Sequence, residues 1–215
     1  MSSMVSNAAG LSVEASQRSS LTGDAAGSAA RGGLVGDPSP LGLFGYALTL
    51  GVLSFIHLGV VPAAATPLVV AMSLPVGGIG MILAGMWAFR RGNTFGATAL
   101  TGYGIFWLNY YLLFSGLLKS IPKPDQGPVL GIWLFFWGIF TLVLFAGSLK
   151  IDRAHPFFLS FLVVTFGVLG LGQMTGNAMW IHVGGWTGLI SIAGAMYVAA
   201  SQLTEAQFGK RVLPV

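Results

Sequence analysis

The chain carries six carboxylates, Glu14, Asp24, Asp37, Asp125, Asp152 and Glu205, and three histidines, His57, His155 and His182. None of the carboxylates lies inside an apolar run, so a buried acid–base pair has no obvious place to form. The histidines are far apart and have no acidic partner at metal-ligand spacing, so a membrane-bound metalloenzyme is a weak reading. Cysteine is absent, which removes thiolate nucleophiles, disulfides and Cys-bound metals. No catalytic residues, no metal and no cofactor are expected. What remains is polar but uncharged side chains set in apolar surroundings. Such groups can solvate a small anion or a neutral polar solute through hydrogen bonds.

The elements that would position them are set by composition. Of 215 residues 54% are hydrophobic and only 7% charged, against about 25% charged in a soluble domain. The mean hydropathy is +0.80. A bilayer core of about 30 Å needs roughly 20 apolar residues per helix. That ruler gives six windows, at about residues 41–61, 66–89, 95–118, 128–149, 156–175 and 178–200. The expected fold is an all-α integral membrane protein with six transmembrane helices (37–203). A Ser-, Ala- and Gly-rich N-terminal tail (1–36) reads as disordered, and a short C-terminal tail (204–215) follows the last helix.

Charge sets the orientation. Arg18, Arg31, Arg90, Arg91, Lys150, Arg153, Lys210 and Arg211 fall on one side, while only Lys119 and Lys123 fall on the other. By the positive-inside rule both termini and both tails are cytoplasmic. The net charge of +4 is spread between apolar blocks, so no nucleic-acid partner is expected.

No Lys, Arg, Asp or Glu lies within the six windows, which argues against a carboxylate-driven pump. Helical geometry groups the polar residues instead. Tyr46, Leu50, Leu53 and His57 share one face of the first window. Tyr103 and Tyr110 share a face of the third, and His155, Phe158, Leu162, Leu169 and Gln173 a face of the fifth. Tyr46, Tyr103 and Leu162 fall at similar depth in windows that run in the same direction, so they could meet in one layer. Ordinary helix packing is the competing account. A faint repeat supports the grouping: a Leu precedes each of the three by three positions, and Asp37, Asn93 and Asp152 precede them by nine or ten. Thr49, Thr101, Asn109, Tyr110, Gln173, His57 and His182 are further candidates for a polar path, the last two also for proton carriage. His182 alternatively makes a helix-to-helix hydrogen bond. Gly184-x-x-x-Gly188 reads as close helix packing.

The opening Asp37-Pro-Ser-Pro-Leu-Gly-Leu43 resembles the Asn-Pro-Ala-Pro-Leu-Gly signature of the acetate uptake transporter family. That family includes bacterial succinate–acetate permeases and fungal acetate/ammonia export proteins. The resemblance continues through Gly92-Asn-Thr-Phe-Gly-Ala-Thr-Ala-Leu-Thr-Gly-Tyr-Gly-Ile-Phe-Trp107, Trp137-Gly-Ile-Phe-Thr-Leu142 and Gly176-Asn177. It ends with Ile181-His-Val-Gly-Gly-Trp-Thr-Gly-Leu189 and Gln207-Phe-Gly-Lys-Arg-Val-Leu-Pro214. It implies a permease or channel for acetate and related small carboxylates such as succinate, either passive or proton-coupled, in a bacterial inner or plasma membrane. It further implies a homohexamer with a pore in each subunit. An ammonia or ammonium channel is the alternative. The family narrows at a Phe, Leu and Tyr triad, which by motif position falls on Tyr46, Leu162 and Tyr103. The sequence departs from the pattern at Tyr46, which adds a hydroxyl, and at Asp37, where the family has Asn. Asp37, Pro38, Pro40 and Gly42 form the helix-entry motif, with Asp37 expected to cap and Pro to open the first helix.

Overall fold

The computed structural model describes residues 35–214. Arg18, Arg31 and the N-terminal tail as far as residue 34 lie outside the described residues. Residues 35–36 and Arg90–Gly92 form a small unit of their own; the helical body comprises Asp37–Phe89 and the chain from Asn93 onward.

Six helices make up this body, with no strand among the described residues. They are α1 (Ser39–His57), α2 (Ala63–Arg90), α3 (Thr94–Ser115), α4 (Lys123–Ser148), α5 (Ala154–Thr175) and α6 (Ala178–Phe208). Consecutive helices are neighbours, and α6 returns to pack along α1. The seam between α3 and α4 is the thinnest.

Five of the six are long and apolar enough to cross a membrane. The exception is α3. Its 22 residues rise about 33 Å, which is sufficient. Its sequence is diluted by three Tyr, three Thr and Asn109. Outward side chains elsewhere are large and apolar. On α4, Ile132, Phe136, Ile139 and Val143 are all more than half exposed, a face suited to hydrocarbon rather than water.

The ends of the helices follow local rules. Asp37, Asn93 and Asp152, the three residues of the faint repeat, each stand at the entry to an odd-numbered helix. The Asp37 carboxylate accepts from the Ser39 amide at 2.9 Å. Asn93 accepts from the Gly96 amide at 2.8 Å. Asp152 accepts from the amides of Ala154 and His155 at 2.9 and 2.8 Å. The repeat is therefore one of helix entries. The cap position of α1 itself is Pro38 rather than Asp37, which reaches in from one residue earlier. Gly176 ends α5 in the left-handed conformation at φ 66°, and Asn177 caps α6 by accepting from the Met179 amide.

Two features exceed the sequence reading. First, α2 is not uniform. Its segment Ser73–Gly80 is a π-helix between α-helical stretches. Pro75 has no N–H to give, and the wide turn accommodates that loss. Second, α6 continues beyond residue 200 to Phe208, into the stretch read as tail. The chain then folds back, with Ser201 donating to the Leu213 carbonyl at 3.0 Å and Tyr197 to that of Pro214 at 2.5 Å.

Small residues set the close approaches. A Cβ at Gly45 of α1 would stand 2.8 Å from the Val76 carbonyl in the π segment. On α6, a Cβ at Gly184 would run into Leu169 of α5, while one at Gly188 would lie 2.5 Å from Ser54 Oγ on α1. The Gly184/Gly188 pair therefore seats α6 between two helices of its own chain.

Candidate functional site: a narrow layer between two cavities

Among the described residues, two part-open cavities of about 510 Å³ and about 300 Å³ run into the helical body. The smaller lies toward the N-terminal ends of α1, α3 and α5, the larger toward their C-terminal ends. Three residues line both: Tyr46 from α1, Tyr103 from α3 and Leu162 from α5. They are 5%, 5% and 2% exposed. The Tyr46 and Tyr103 rings lie 6.1 Å apart, centroid to centroid, and Phe158 stands 6.5 Å from Tyr46.

Both phenols are engaged by the protein. Tyr46 OH lies 2.7 Å from Ser191 Oγ on α6. Ser191 gives its own proton to the Phe158 carbonyl at 2.8 Å, so Tyr46 is the donor. Tyr103 OH donates to Thr141 Oγ1 on α4 at 3.0 Å, and Thr141 donates to the Trp137 carbonyl at 2.7 Å. The layer thus presents ring faces and a leucine. The hydroxyls expected as solute donors are spent on helix-to-helix bonds. Ser191 and Thr141 are fully buried, and nothing in their spacing identified them as partners of the layer.

Of the polar path candidates, Tyr110, Gln173, His57 and His182 line the larger cavity. Its apolar wall includes Phe106, Trp107, Trp133 and Phe166, with Phe106 stacked on Trp133 at 4.8 Å. His57 Nδ1 is buried without a hydrogen-bond partner. The hydrogen bond expected of His182 is not formed; its ring is exposed to the cavity. Three candidates line neither cavity. Thr49 is buried and donates to the Gly45 carbonyl at 2.9 Å. Asn109 donates to the Ile105 carbonyl at 3.0 Å. Thr101 Oγ1 is buried without a partner, on the face of α3 that receives Gly85 of α2. Thr49 and Asn109 turn back on their own helices because a short polar side chain readily bonds the carbonyl four residues back.

The smaller cavity is lined by Asp37, Asn93, His155 and Gln202 among its polar groups. Pro38 and Pro40 are buried at the α1 entry, and Gly42 lets Leu100 of α3 approach. His155 Nδ1 lies 2.7 Å from Asp152 Oδ2. Burial pushes the Asp152 carboxyl up, but the His155 amide and imidazole and the Ala154 amide outweigh it and hold the group below the usual carboxylate range. His57, His155 and His182 do not converge, and no group of three metal-ligating side chains exists among the described residues.

The helical body has counterparts among known proteins. A solved structure of the bacterial acetate channel SatP matches with a TM-score of 0.78 at 40% identity, covering 84% of this chain and 99% of that one. The succinate-acetate/proton symporter SatP of Escherichia coli K12 is 39% identical over 179 residues, 83% of this chain and 94% of the relative. Acetate permease A of Emericella nidulans is 31% identical, over 83% of this chain and 65% of its own length. Ammonia transport outward protein 2 of Saccharomyces cerevisiae is 33% identical, over 80% and 62%. With these relatives the chain is a multi-pass membrane protein of a transporter lineage. The model of one family matches residues 26–214, nearly the whole length, and on that match this chain belongs to the GPR1/FUN34/yaaH family.

Proposed function

We propose that the chain conducts acetate and related small carboxylates, succinate among them, across a cell membrane through a passage inside each subunit. The observation that carries this reading is the trio of residues shared by the two cavities, Tyr46, Tyr103 and Leu162. A ring of aromatic and aliphatic surface excludes a hydrated ion by dewetting. A short carboxylic acid can cross it with its methyl group against the ring faces and its carboxyl still solvated on one side.

In this reading all six helices cross, α3 included. Of its polar residues, Tyr103 and Tyr110 face the passage. Both termini and the two tails are cytoplasmic, so the smaller cavity opens inward. The membrane domain spans 37–203, and the subunits form a homo-oligomer, a hexamer by family resemblance. The protein is not an enzyme.

Energetics favour coupling or neutral passage for uptake. One negative charge entering against 100 mV costs about 2.3 kcal/mol. Passage as the acid, or with a proton, removes that cost. The layer itself offers no carboxylate, amine or imidazole.

Flux of labelled acetate into liposomes holding the purified protein tests the reading. Saturable acetate flux that changes its acid selectivity when Leu162 is replaced by Ala is the expected result. Ammonium flux without acetate flux would favour the alternative carried by the yeast relative.

A further inference from the structure

We propose that His155, held by Asp152, forms a proton-accepting site for a small carboxylic acid or its anion on the wall of the smaller cavity. This rests on the carboxylate-passage reading above and deepens it. The sequence pointed to His57 and His182 as proton carriers, because His155 precedes the apolar part of its helix. The fold turns His155 into the cavity instead.

The geometry has three parts. First, the ring is fixed. Asp152 Oδ1 holds the first amides of α5, and its Oδ2 takes the Nδ1 side of the imidazole at 2.7 Å. Phe95 packs edge-on at 6.2 Å and Phe158 lies at 5.5 Å. Second, the remaining ring nitrogen is free. With Nδ1–H bonded to an ionised Asp152, the neutral ring presents Nε2 as an acceptor, and His155 has no other hydrogen-bond partner. The ring lines the smaller cavity, while its side chain is only 12% exposed. Third, the site is next to the layer. Phe158 touches both His155 and Tyr46. Leu162 lies two turns further along α5, about 10 Å at 1.5 Å per residue.

An acid that has crossed the layer meets this lone pair. Its O–H bond breaks as the Nε2–H bond forms. The carboxyl keeps the electron pair as carboxylate, and the ring becomes an imidazolium between two negative groups. The imidazolium later gives its proton to water at the cavity mouth, and the anion leaves. Run backward, the same site loads an outgoing anion with a proton. The depressed Asp152 carboxyl stays ionised throughout, which is what holds the tautomer.

The other charged or titratable groups on this cavity are Asp37 at the α1 entry and the phenols of Tyr46 and Tyr103. The Asp37 carboxylate opposes an anion in this cavity. From α2 and α6 the wall receives Met81 and Gln202, neither of them ionisable, and Gln202 Oε1 is buried without a partner.

The test is equilibrium binding of labelled acetate to the purified full-length protein, between about pH 5.5 and about pH 7.5, the range in which imidazole groups change charge. Wild type binds roughly tenfold more tightly at the lower pH, the scale of one charge-assisted hydrogen bond gained. His155→Gln flattens that profile. Asp152→Asn, which keeps a hydrogen-bonding group but removes the counter-charge, moves the profile to lower pH. The elution profile of each variant shows that it is folded. A folded His155→Gln with an unchanged pH profile overturns the proposal and leaves the transport reading standing. Wild-type protein that passes no labelled acetate into liposomes overturns the transport reading, and this site with it.

Discussion

Tyr46 of α1 gives its phenolic proton to Ser191 of α6 at 2.7 Å, and that bond decides which part of the tyrosine faces the narrow layer. The hydroxyl by which Tyr46 departs from the phenylalanine that the family resemblance implies is absorbed between two helices. Ser191 in turn donates to the Phe158 carbonyl, so the three groups form one chain.

Removing the middle of this chain alone should hurt more than removing it together with the phenol. Ser191→Ala leaves a buried phenol without an acceptor, at a cost of about 1–3 kcal/mol. It also frees the hydroxyl to turn toward the passage. Tyr46→Phe should cost less, and Tyr46→Phe with Ser191→Ala should recover much of the loss. Thermal unfolding in detergent and the acetate-to-succinate flux ratio in liposomes measure both effects. A double variant as impaired as Ser191→Ala alone would show that the two residues are not coupled.

Leu162 is the member of the layer with no polar tether. Leu162→Ala should widen the passage and raise succinate or lactate flux relative to acetate. The stability cost should sit near the low end of about 2–5 kcal/mol, because the side chain already borders open space. If Tyr46→Ala, Tyr103→Ala and Leu162→Ala all leave substrate range and rate untouched, the narrow point lies elsewhere.

Orientation can be read with single cysteines in this cysteine-free chain. A Cys at Ala64, in the turn opening α2, should react with an impermeant reagent only from outside the cell. A Cys at Gly92 should react only from the cytoplasm. The reverse pattern would invert the assignment of both cavities.

Asp152 should stabilise the fold in a pH-dependent way. Its carboxyl is held below its ordinary value of about 3.9, so its contribution is complete above that value. The contribution fades as pH falls through the depressed value in the folded protein. Asp152→Ala should lower stability by about 1 kcal/mol at neutral pH, mostly as a lost helix cap. The gap to wild type should close in strong acid. A gap that persists unchanged there would mean the carboxylate charge is not involved.

Helical repeat and turn residues in the sequence were enough to mark the helices, the two-turn spacing of His155 and Leu162, and the similar distance of Tyr46, Tyr103 and Leu162 from their helix entries. Each of these depends on distances along a single helix, which 1.5 Å and 100° per residue define. The same local rules explain why Asp37, Asn93 and Asp152 recur at helix entries. What depends on the rotation of one helix against another was left to the tertiary structure. Thr49 and Thr101 sit at plausible depths, yet one is bonded to its own helix and the other is buried against Gly85. Ser191 and Thr141 lie 145 and 38 residues from the tyrosines they hold, and no local pattern pairs them. His155 shares the face of Leu162 by sequence, but the packing of α5 against α4 and α6 is what brings its ring to the cavity wall. Local chemistry set which residues could meet in the layer, and the relative rotation of the packed helices decided which atoms they present there.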